Sequence, residues 1–479
     1  MTPRQQGSIL AGLVLAAALA AAGGMFWHLL ARPPEIAVSM RVPGADGAPA
    51  DRGADGERVN LSGTFKQFDG APSALPGDWP RFRGPDVDNI AKDTPPLADS
   101  WGPDGPEVLW TVEVGEGYAG AAVRDGRVYL IDYDEAARAD AVRCFSLDDG
   151  REIWRRSYAL VVKKNHGMSR TVPVVTDKHL ITIGPRCHVV CLDPVSGAFR
   201  WGLDLQREYG SKEPMWYTGQ CPLVDGNRLI LAPCGPETLM MAVDCDTGEP
   251  VWKAPNPDEW KMSHASVIPM TLAGRRMYVY SAVGGVAGVS AAPEDAGALL
   301  WRVPWKAKVV APSPVPAGDD LVFVSAGYGE GGMMIKVSPD GDGFKAEALY
   351  SHKPKDGLAS EQQTPIFHEG LLYGIMPKDA GALRSQFVCY RPDGSLVWSS
   401  GQENRFGLGP YLLADGKFFV LDDEGTLSVL RARADAFEPL ASAKVIGGHE
   451  TWGPFALAGD RLLLRNQTQM ACVSVGKAQ

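Results

Sequence analysis

The chain lacks the short motifs that mark common catalytic and metal-binding proteins. No G-x-S-x-G motif, P-loop or H-E-x-x-H motif occurs in its 479 residues, so hydrolase and nucleotide chemistry have no support. Its eight cysteines are too few for a disulfide-dense scaffold, and none forms the paired C-x-x-C ligands of a zinc site. We therefore expect mostly buried thiols and no metal, although Cys221, Cys234 and Cys245 lie on neighbouring predicted strands and could form a disulfide in an oxidising compartment.

Runs of like charge are also missing. The net charge of −10 is distributed in patches of mixed sign, without a Lys/Arg run that would neutralise phosphates. We therefore expect no nucleic-acid partner. Turn formers, by contrast, are abundant: 55 Gly and 37 Pro indicate many short elements, and 45% hydrophobic residues suffice for a packed core.

The amino terminus contains the one long apolar segment, from Ser8 to Leu30. As a helix it would extend roughly 35 Å, enough to cross a bilayer. We predict a signal anchor over residues 1–31 and a flexible, Gly- and Ala-rich linker over 32–77, followed by a folded domain over 78–479. The protein is then single-pass in the cell membrane with its domain on the extracytoplasmic (periplasmic) side. The alternative is a cleaved signal peptide and a secreted protein.

A three-part pattern recurs at intervals of roughly 44 to 53 residues over the rest of the chain. It begins with a short strand that contains proline, continues through a hairpin turn such as Asp125-Gly126 or Asp415-Gly416, and ends in a strand pair that closes on tryptophan. The prolines are Pro173, Pro222, Pro314, Pro365, Pro410 and Pro454, and the tryptophans are Trp154, Trp201, Trp252, Trp301 and Trp398.

Each copy of the pattern predicts one four-stranded antiparallel sheet, which can bury both faces only if the copies stack around an axis. The pattern therefore predicts an all-β, eight-bladed β-propeller preceded by one transmembrane helix, with seven blades as the alternative. Two copies, ending near Tyr350 and Leu440, lack the tryptophan. The last copy has only three strands, and we expect an earlier strand around Trp110 to complete it.

The tryptophan-terminated repeat resembles the pyrroloquinoline quinone (PQQ)-like propeller repeat. The lead-in Trp79-Pro80-Arg81-Phe82-Arg83-Gly84-Pro85 is similar to the W-P-x-F-R-G-P segment of membrane or secreted members of that family. The resemblance implies either a quinoprotein dehydrogenase or a scaffold without cofactor, such as the outer-membrane assembly factor type. The dehydrogenases typically carry adjacent cysteines in a disulfide against the quinone, and this sequence has no adjacent cysteines.

Residues that open each repeat should face the axis at one end of the channel, and here they combine polar with aromatic side chains. Tyr118, Ser169, Ser263 and Lys308 are among them. The candidate ligand-binding residues are His166, Arg170, Trp216, Tyr217, His264, Glu361, Gln362, Arg405, Glu450 and Trp452. Such a set could bind a small anionic ligand, and the alternative is a solvated channel mouth with local hydrogen bonds.

These residues favour a binding role over catalysis. Glu361 and Glu450 are the only acids in the set and lie about a quarter of a turn apart, so no compact calcium site is evident. We expect no catalytic residue, and a scaffold or binding module for a protein, envelope polymer or small ligand. The alternative is a PQQ-dependent alcohol dehydrogenase-like oxidoreductase with PQQ and calcium. An enzyme should have a closed pocket with an acidic metal cluster over an aromatic floor, whereas a scaffold should have an open, hydrated channel.

Overall fold

A computed structural model describes residues 58–477, together with the isolated positions Ala20 and Gly23. The chain divides into two compact units, 1–48 and 49–479, and the second contains the strands. Its strands form eight antiparallel blades, which confirms the predicted eight-bladed propeller. Within the described residues, no helix is long and apolar enough to cross a bilayer. Apart from Ala20 and Gly23, the segment predicted as the anchor lies outside those residues.

The strands follow one another in chain order around the ring. Three strands precede the first complete blade: β1 (Thr64–Gln67), β2 (Ile90–Ala91) and β3 (Val108–Glu113). Blade 1 consists of β4 (Ala122–Arg124), β5 (Arg127–Asp134), β6 (Ala139–Ser146) and β7 (Glu152–Ala159), and blade 2 of β8 (Val174–Val175), β9 (Leu180–Ile183), β10 (His188–Leu192) and β11 (Phe199–Asp204). Blade 3 consists of β12 (Leu223–Asp225), β13 (Arg228–Leu231), β14 (Thr238–Asp244) and β15 (Pro250–Pro255), and blade 4 of β16 (Ile268–Leu272), β17 (Arg275–Ala282), β18 (Gly284–Ser290) and β19 (Leu299–Trp305).

The second half of the ring repeats this order. Blade 5 consists of β20 (Val315–Pro316), β21 (Leu321–Ala326), β22 (Gly331–Asp340) and β23 (Gly343–His352), and blade 6 of β24 (Ile366–His368), β25 (Leu371–Ile375), β26 (Phe387–Tyr390) and β27 (Leu396–Ser399). Blade 7 consists of β28 (Tyr411–Ala414), β29 (Lys417–Leu421), β30 (Thr426–Arg431) and β31 (Pro439–Lys444), and blade 8 of β32 (Ala456–Ala458), β33 (Arg461–Arg465) and β34 (Gln469–Ser474) together with β3. One short helix, α1 (Leu205–Tyr209), follows blade 2, and single 3₁₀ turns occur at Pro293–Asp295 and Gly381–Leu383.

Blade 8 is completed by a strand from the beginning of the domain. Strand β3 pairs antiparallel with β34, with Trp110 opposite Cys472. This arrangement confirms the predicted ring closure, and it leaves no open edge between the first blade and the last.

The tryptophans of blades 1, 2 and 8 join each of these blades to the next. Trp201 closes blade 2, and its indole Nε1 donates to the carbonyl of Cys245 in blade 3 at 2.8 Å. The ring lies over Gly248, where an added Cβ would be 2.8 Å from the indole. Trp110 and Trp154 contact the glycines at positions 150 and 197 in the same way. The glycine in the turn between the third and fourth strands is therefore required by the close approach of the preceding blade's indole.

A tyrosine takes this role in blade 5, one of the two copies without tryptophan. The ring of Tyr350 lies against Gly394 of blade 6, 3.4 Å from a Cβ built at that glycine, and its hydroxyl donates to the carbonyl of Pro392 at 2.9 Å. An aromatic ring with one polar atom is thus sufficient for the inter-blade contact.

Strand β1 adds a fifth strand to blade 1 by pairing antiparallel with β7. It belongs to segment 32–77, for which composition predicts a flexible linker. That prediction is wrong from Arg58 onward, because β1 finds an unpaired sheet edge and Arg156 donates to the carbonyl of Ser62. Local composition does not reveal such a partner. Residues 32–57 lie outside the described part of the chain.

The lead-in segment 79–98, which we call the strap, crosses the propeller axis. Trp79 bridges to Val123 in the first strand of blade 1, and the guanidinium of Arg81 donates to the carbonyl of Val224 in blade 3 at 2.8 Å. Strand β2 pairs in parallel with β28 of blade 7. Blades 3 and 7 are opposite in a ring of eight, and the first strand of each blade lines the axis. The strap therefore spans the channel from one side to the other.

Arg83 fixes the centre of the strap. Only 5% of the residue is exposed, and its guanidinium donates to the carbonyls of Val87 and Asp88 within the strap and of Thr364 and Pro365 in front of blade 6, at 3.0 to 3.2 Å. Burial lowers its pKa to about 10. The strap therefore covers one end of the channel.

The cysteines form no disulfide. All eight lie in the described residues and are buried free thiols, so the disulfide that Cys221, Cys234 and Cys245 could have formed is not present. The Cys221 sulfur accepts a hydrogen bond from the backbone N–H of Val172 at 3.2 Å instead, and burial raises its pKa to about 11. These thiols serve as small core residues.

Candidate functional site at the channel mouth

The end of the channel opposite the strap is lined by two kinds of loop. One kind connects the outer strand of a blade with the first strand of the next, and the other connects the second and third strands within a blade. The alternation of strand directions brings both to the same end. We call this end the mouth.

A row of aromatic rings crosses the mouth. Trp452, ahead of blade 8, stacks on Tyr118, ahead of blade 1, with ring centroids 5.4 Å apart. His166 contacts Tyr118 at 5.5 Å and Trp216 at 6.3 Å, and Trp216 stacks on Tyr328 of blade 5 at 5.7 Å. The row thus connects blades 8 and 1 with blade 5, which lies on the far side of the ring. Tyr328 remains 53% exposed at its end.

Two carboxylates accept hydrogen bonds from the aromatic side chains near blade 8. The hydroxyl of Tyr118 donates to Glu450 Oε2 at 2.6 Å, and Gln467 Nε2 donates to the same oxygen at 2.5 Å. The indole Nε1 of Trp452 donates to Asp423 Oδ1 at 2.7 Å. Burial and the Glu450 hydrogen bond raise the pKa of Tyr118 above its ordinary range. These carboxylates orient rings and are occupied by internal partners.

Arg170 is the central cation of the mouth, and part of its guanidinium donates to backbone carbonyls. Its guanidinium donates to the carbonyls of His166 and Trp216 and lies 5.0 Å from the ring centroid of Tyr118. Burial lowers the pKa of Arg170 to about 10. Burial and this guanidinium lower the pKa of His264 to about 4, so its imidazole is neutral near pH 7. Arg170 therefore links the loop ahead of blade 2 with the loop ahead of blade 3.

A second, more exposed polar group lies beside Tyr328. Burial raises the pKa of Glu361, with an opposing contribution from Lys378, and the ammonium of Lys378 lies 5.3 Å from the ring centroid of Trp452. Tyr328, Glu361 and Lys378 thus surround the part of the mouth that faces solvent.

Three predicted residues do not join the row. The Tyr217 hydroxyl donates to the carbonyl of Lys163, and its ring packs in a cluster with Tyr133 and Met168. Arg405 donates to Gln402 and to the carbonyl of Arg384, which places it in a local contact between loops. Gln362 is half-buried, and within residues 58–477 no hydrogen bond, ion pair or ring contact joins it to the row.

Sequence reasoning missed residues that reach the mouth from other positions. Gln363, one residue beyond the predicted Gln362, donates to the carbonyl of Trp452 at 2.9 Å. Tyr328, Lys378 and Asp423 come from turns between second and third strands, whereas the prediction from the sequence covers only residues that open the blades. The Gly-rich sequence around Tyr328, SAGYGEGG, was an available signal, because such turns need positive φ angles.

Several residues of these loops have a left-handed backbone. His166, Trp216, Tyr217, Tyr328 and Glu450 have φ angles between 53° and 73°, in the left-handed region that non-glycine residues rarely adopt. Strain of this kind persists where the surrounding structure fixes it, and it is concentrated at binding and active sites. The aromatic row with its exposed end and these left-handed loops make the mouth a candidate functional site on this propeller.

Family comparison agrees with the repeat pattern. Residues 138–293 and 236–343 match the family model described as outer membrane protein assembly factor BamB. This chain carries PQQ-like propeller repeats. A search of curated protein sequences gave no significant match.

Solved structures share the PQQ-like fold at low sequence identity. Quinohemoprotein alcohol dehydrogenase ADHIIG from Pseudomonas putida HK5 is 11% identical, with a TM-score of 0.57 over 85% of this chain and 81% of that chain. BamB from Moraxella catarrhalis is 12% identical, with a TM-score of 0.50 over 77% of this chain and 99% of that chain. At such identities the likeness establishes the fold alone.

The residues at the mouth of this PQQ-like propeller do not fit a quinone with calcium. A flat ring inserted between two stacked rings needs them about 7 Å apart, two contact distances, whereas the stacked pairs are 5.4 and 5.7 Å apart at their centroids. Within residues 58–477, no three His, Cys, Asp or Glu side chains are grouped so that they could bind a metal ion. Glu450, one of the two predicted acids, is bonded to Tyr118 and Gln467.

Proposed function

We propose that this PQQ-like propeller is a non-catalytic binding module that presents its mouth to a protein partner outside the cytoplasm. In this proposal the N-terminal segment holds the domain at the cell membrane as a single-pass anchor. An envelope polymer or a small ligand is the alternative occupant of the same surface.

The exposed aromatic end of the mouth is the observation that carries the proposal. Tyr328 offers a half-exposed ring, supported from beneath by Trp216 and flanked by Glu361 and Lys378. A rigid aromatic anchor with a polar rim is typical of the central residues of protein interfaces. The match to the family described as an assembly factor supports a protein as the partner.

Site-specific photo-crosslinking of the full chain in its native cells tests this proposal. A photoreactive residue at position 328 should give a discrete adduct, and one at Leu349 should give none, although Leu349 lies on the same blade and is similarly exposed. The substitution Trp216→Ala should abolish the adduct, because the ring beneath position 328 is lost. Equal adducts at both positions, or adducts unaffected by Trp216→Ala, would contradict the proposal.

A quinoprotein dehydrogenase is the second candidate, favoured by the likeness to the alcohol dehydrogenase fold. Calorimetric titration of the full chain with pyrroloquinoline quinone and calcium chloride, followed by a dye-linked alcohol oxidation assay, distinguishes the two. We expect neither calcium-dependent saturable heat nor turnover. Tight binding with turnover would replace the binding proposal with the enzyme.

A further inference from the structure

A polar cleft lies away from the mouth, between residues 58–62 and the outer part of blade 2. Its volume is about 340 Å³, within the range of roughly 300 to 1,000 Å³ of small-molecule sites. The walls include Arg58, Leu61, His188, Phe199, Asp204 and Glu208. None of these residues belongs to the mouth as described above.

His188 lines the cleft, and its ring is incompletely hydrogen-bonded. The residue is 4% exposed, and its Nδ1 has no hydrogen-bond partner among the described residues. Its Nε2 lies 3.7 Å from Asp204 Oδ2, beyond hydrogen-bond distance. A buried polar atom without a partner costs about 1 to 3 kcal/mol. A ligand that supplied a partner would recover part of that cost.

Two carboxylates converge on the same cleft, and each is held by the backbone. Asp204 Oδ1 accepts hydrogen bonds from the N–H groups of Gln206 and Arg207, both at 3.1 Å. Glu208 Oε1 accepts from the N–H of Asp204 at 2.9 Å. The two backbone hydrogen bonds to Asp204 are accepted by Oδ1, and Oδ2 is the oxygen nearer to His188.

The charge and apolar surface of the walls define the ligand. Asp204 and Glu208 carry two negative charges against the single positive charge of Arg58, so the lining favours a cation. Leu61 and Phe199 add apolar surface, and Leu61 Cδ1 packs against Gly202 in the floor. An ammonium group with a short hydrocarbon body matches this combination, because charge-assisted N–H···O bonds are strong.

We propose that this cleft binds a small organic amine. The ammonium group donates to Asp204 Oδ2 and Glu208, His188 accepts a further N–H, and the hydrocarbon part lies against Leu61 and Phe199. The inference is independent of the function proposed for the mouth, since the two sites share no residue.

Ligand-observed NMR titration of the full chain tests the inference, with putrescine as the probe and 1,4-butanediol as its neutral analogue of similar length. Putrescine should bind saturably and butanediol should not. Asp204→Asn should weaken putrescine binding roughly tenfold or more, while Asn still caps α1 as well as Asp does. The matched control is Glu347→Gln on the exposed outer strand of blade 5, which should leave putrescine binding unchanged.

Thermal melts of each variant establish that the fold is retained. The inference is overturned if putrescine shows no saturable binding, if butanediol binds equally well, or if folded Asp204→Asn binds putrescine as tightly as the parent chain.

Discussion

Replacing Asp140 by asparagine should remove a large part of the pH dependence of folding stability. Asp140 lies in blade 1 and is only 2% exposed. Its Oδ2 accepts a hydrogen bond from the Tyr158 hydroxyl at 2.7 Å, and Oδ1 has no partner among the described residues. Burial raises its pKa from 3.8 to about 7, Tyr158 partly opposes this increase, and Asp132 adds to it.

The direction of the effect follows from proton linkage. Below about pH 4, both the folded and the unfolded chain hold the proton, so the full stability is present. As the pH rises toward 7, the unfolded chain releases the proton while the folded chain retains it, and stability falls until the folded pKa is passed. A shift of about 3 pKa units corresponds to a loss of about 4 kcal/mol.

Urea denaturation at several pH values from 5 to 8 measures this loss. The midpoint for the parent chain should fall across that range, and the midpoint for Asp140→Asn should fall much less, since the amide does not ionise. Comparing the two proteins cancels contributions from all other titrating groups. Asp342→Asn, in the exposed turn of blade 5, is the control and should follow the parent. Parallel curves for Asp140→Asn and the parent would refute the reasoning.

Three further substitutions test other parts of the fold. Gly248→Ala should lower the free energy of unfolding, measured by urea denaturation, by about 1 to 3 kcal/mol, because the new Cβ meets the Trp201 ring. Gly226→Ala, at a similar positive φ with open space around it, should lower it less. Equal losses of stability would refute the inter-blade contact. Arg83→Met should cost about 2 to 5 kcal/mol, measured in the same way, because buried carbonyls lose their donors; an unchanged midpoint would contradict the role of the strap. His264→Phe should reduce the stability that is lost as the pH falls from 6.5 to 4. The reason is that the buried imidazole, with a pKa of about 4, is neutral in the folded chain and takes up a proton on unfolding in this pH range. A loss of stability in acid denaturation equal to that of the parent chain would contradict this prediction.

The repeat pattern predicts the blades because their determinants are local. Trp154 and the turn at Asp125-Gly126 act within one blade or between neighbours, where both central φ angles of the turn are positive, so spacing along the chain is sufficient to find them. The same pattern predicts that Trp110 completes blade 8, because an unfinished sheet needs an edge strand.

The strap could not be placed in this way. The partners of Arg81 and Arg83 are backbone carbonyls in distant blades, and a carbonyl is present at every residue, so it leaves no signature in the sequence. The mouth is an intermediate case. His166, Trp216 and Trp452 were predicted and lie together, but the left-handed backbone at Trp216 and Tyr217 determines which ring joins the row, and residue type alone does not indicate that conformation.

The strap also constrains the order in which the molecule can be completed. Residues 79–98 leave the ribosome early, yet strand β2 of the strap pairs with blade 7, and Leu97 pairs with Gly476 near the end of the chain. The last contacts of the strap can therefore form only after nearly the whole domain has been synthesised. Pairing across such sequence distances slows folding. The segment that crosses the propeller axis is thus synthesised before the blades, but its contacts are completed after them.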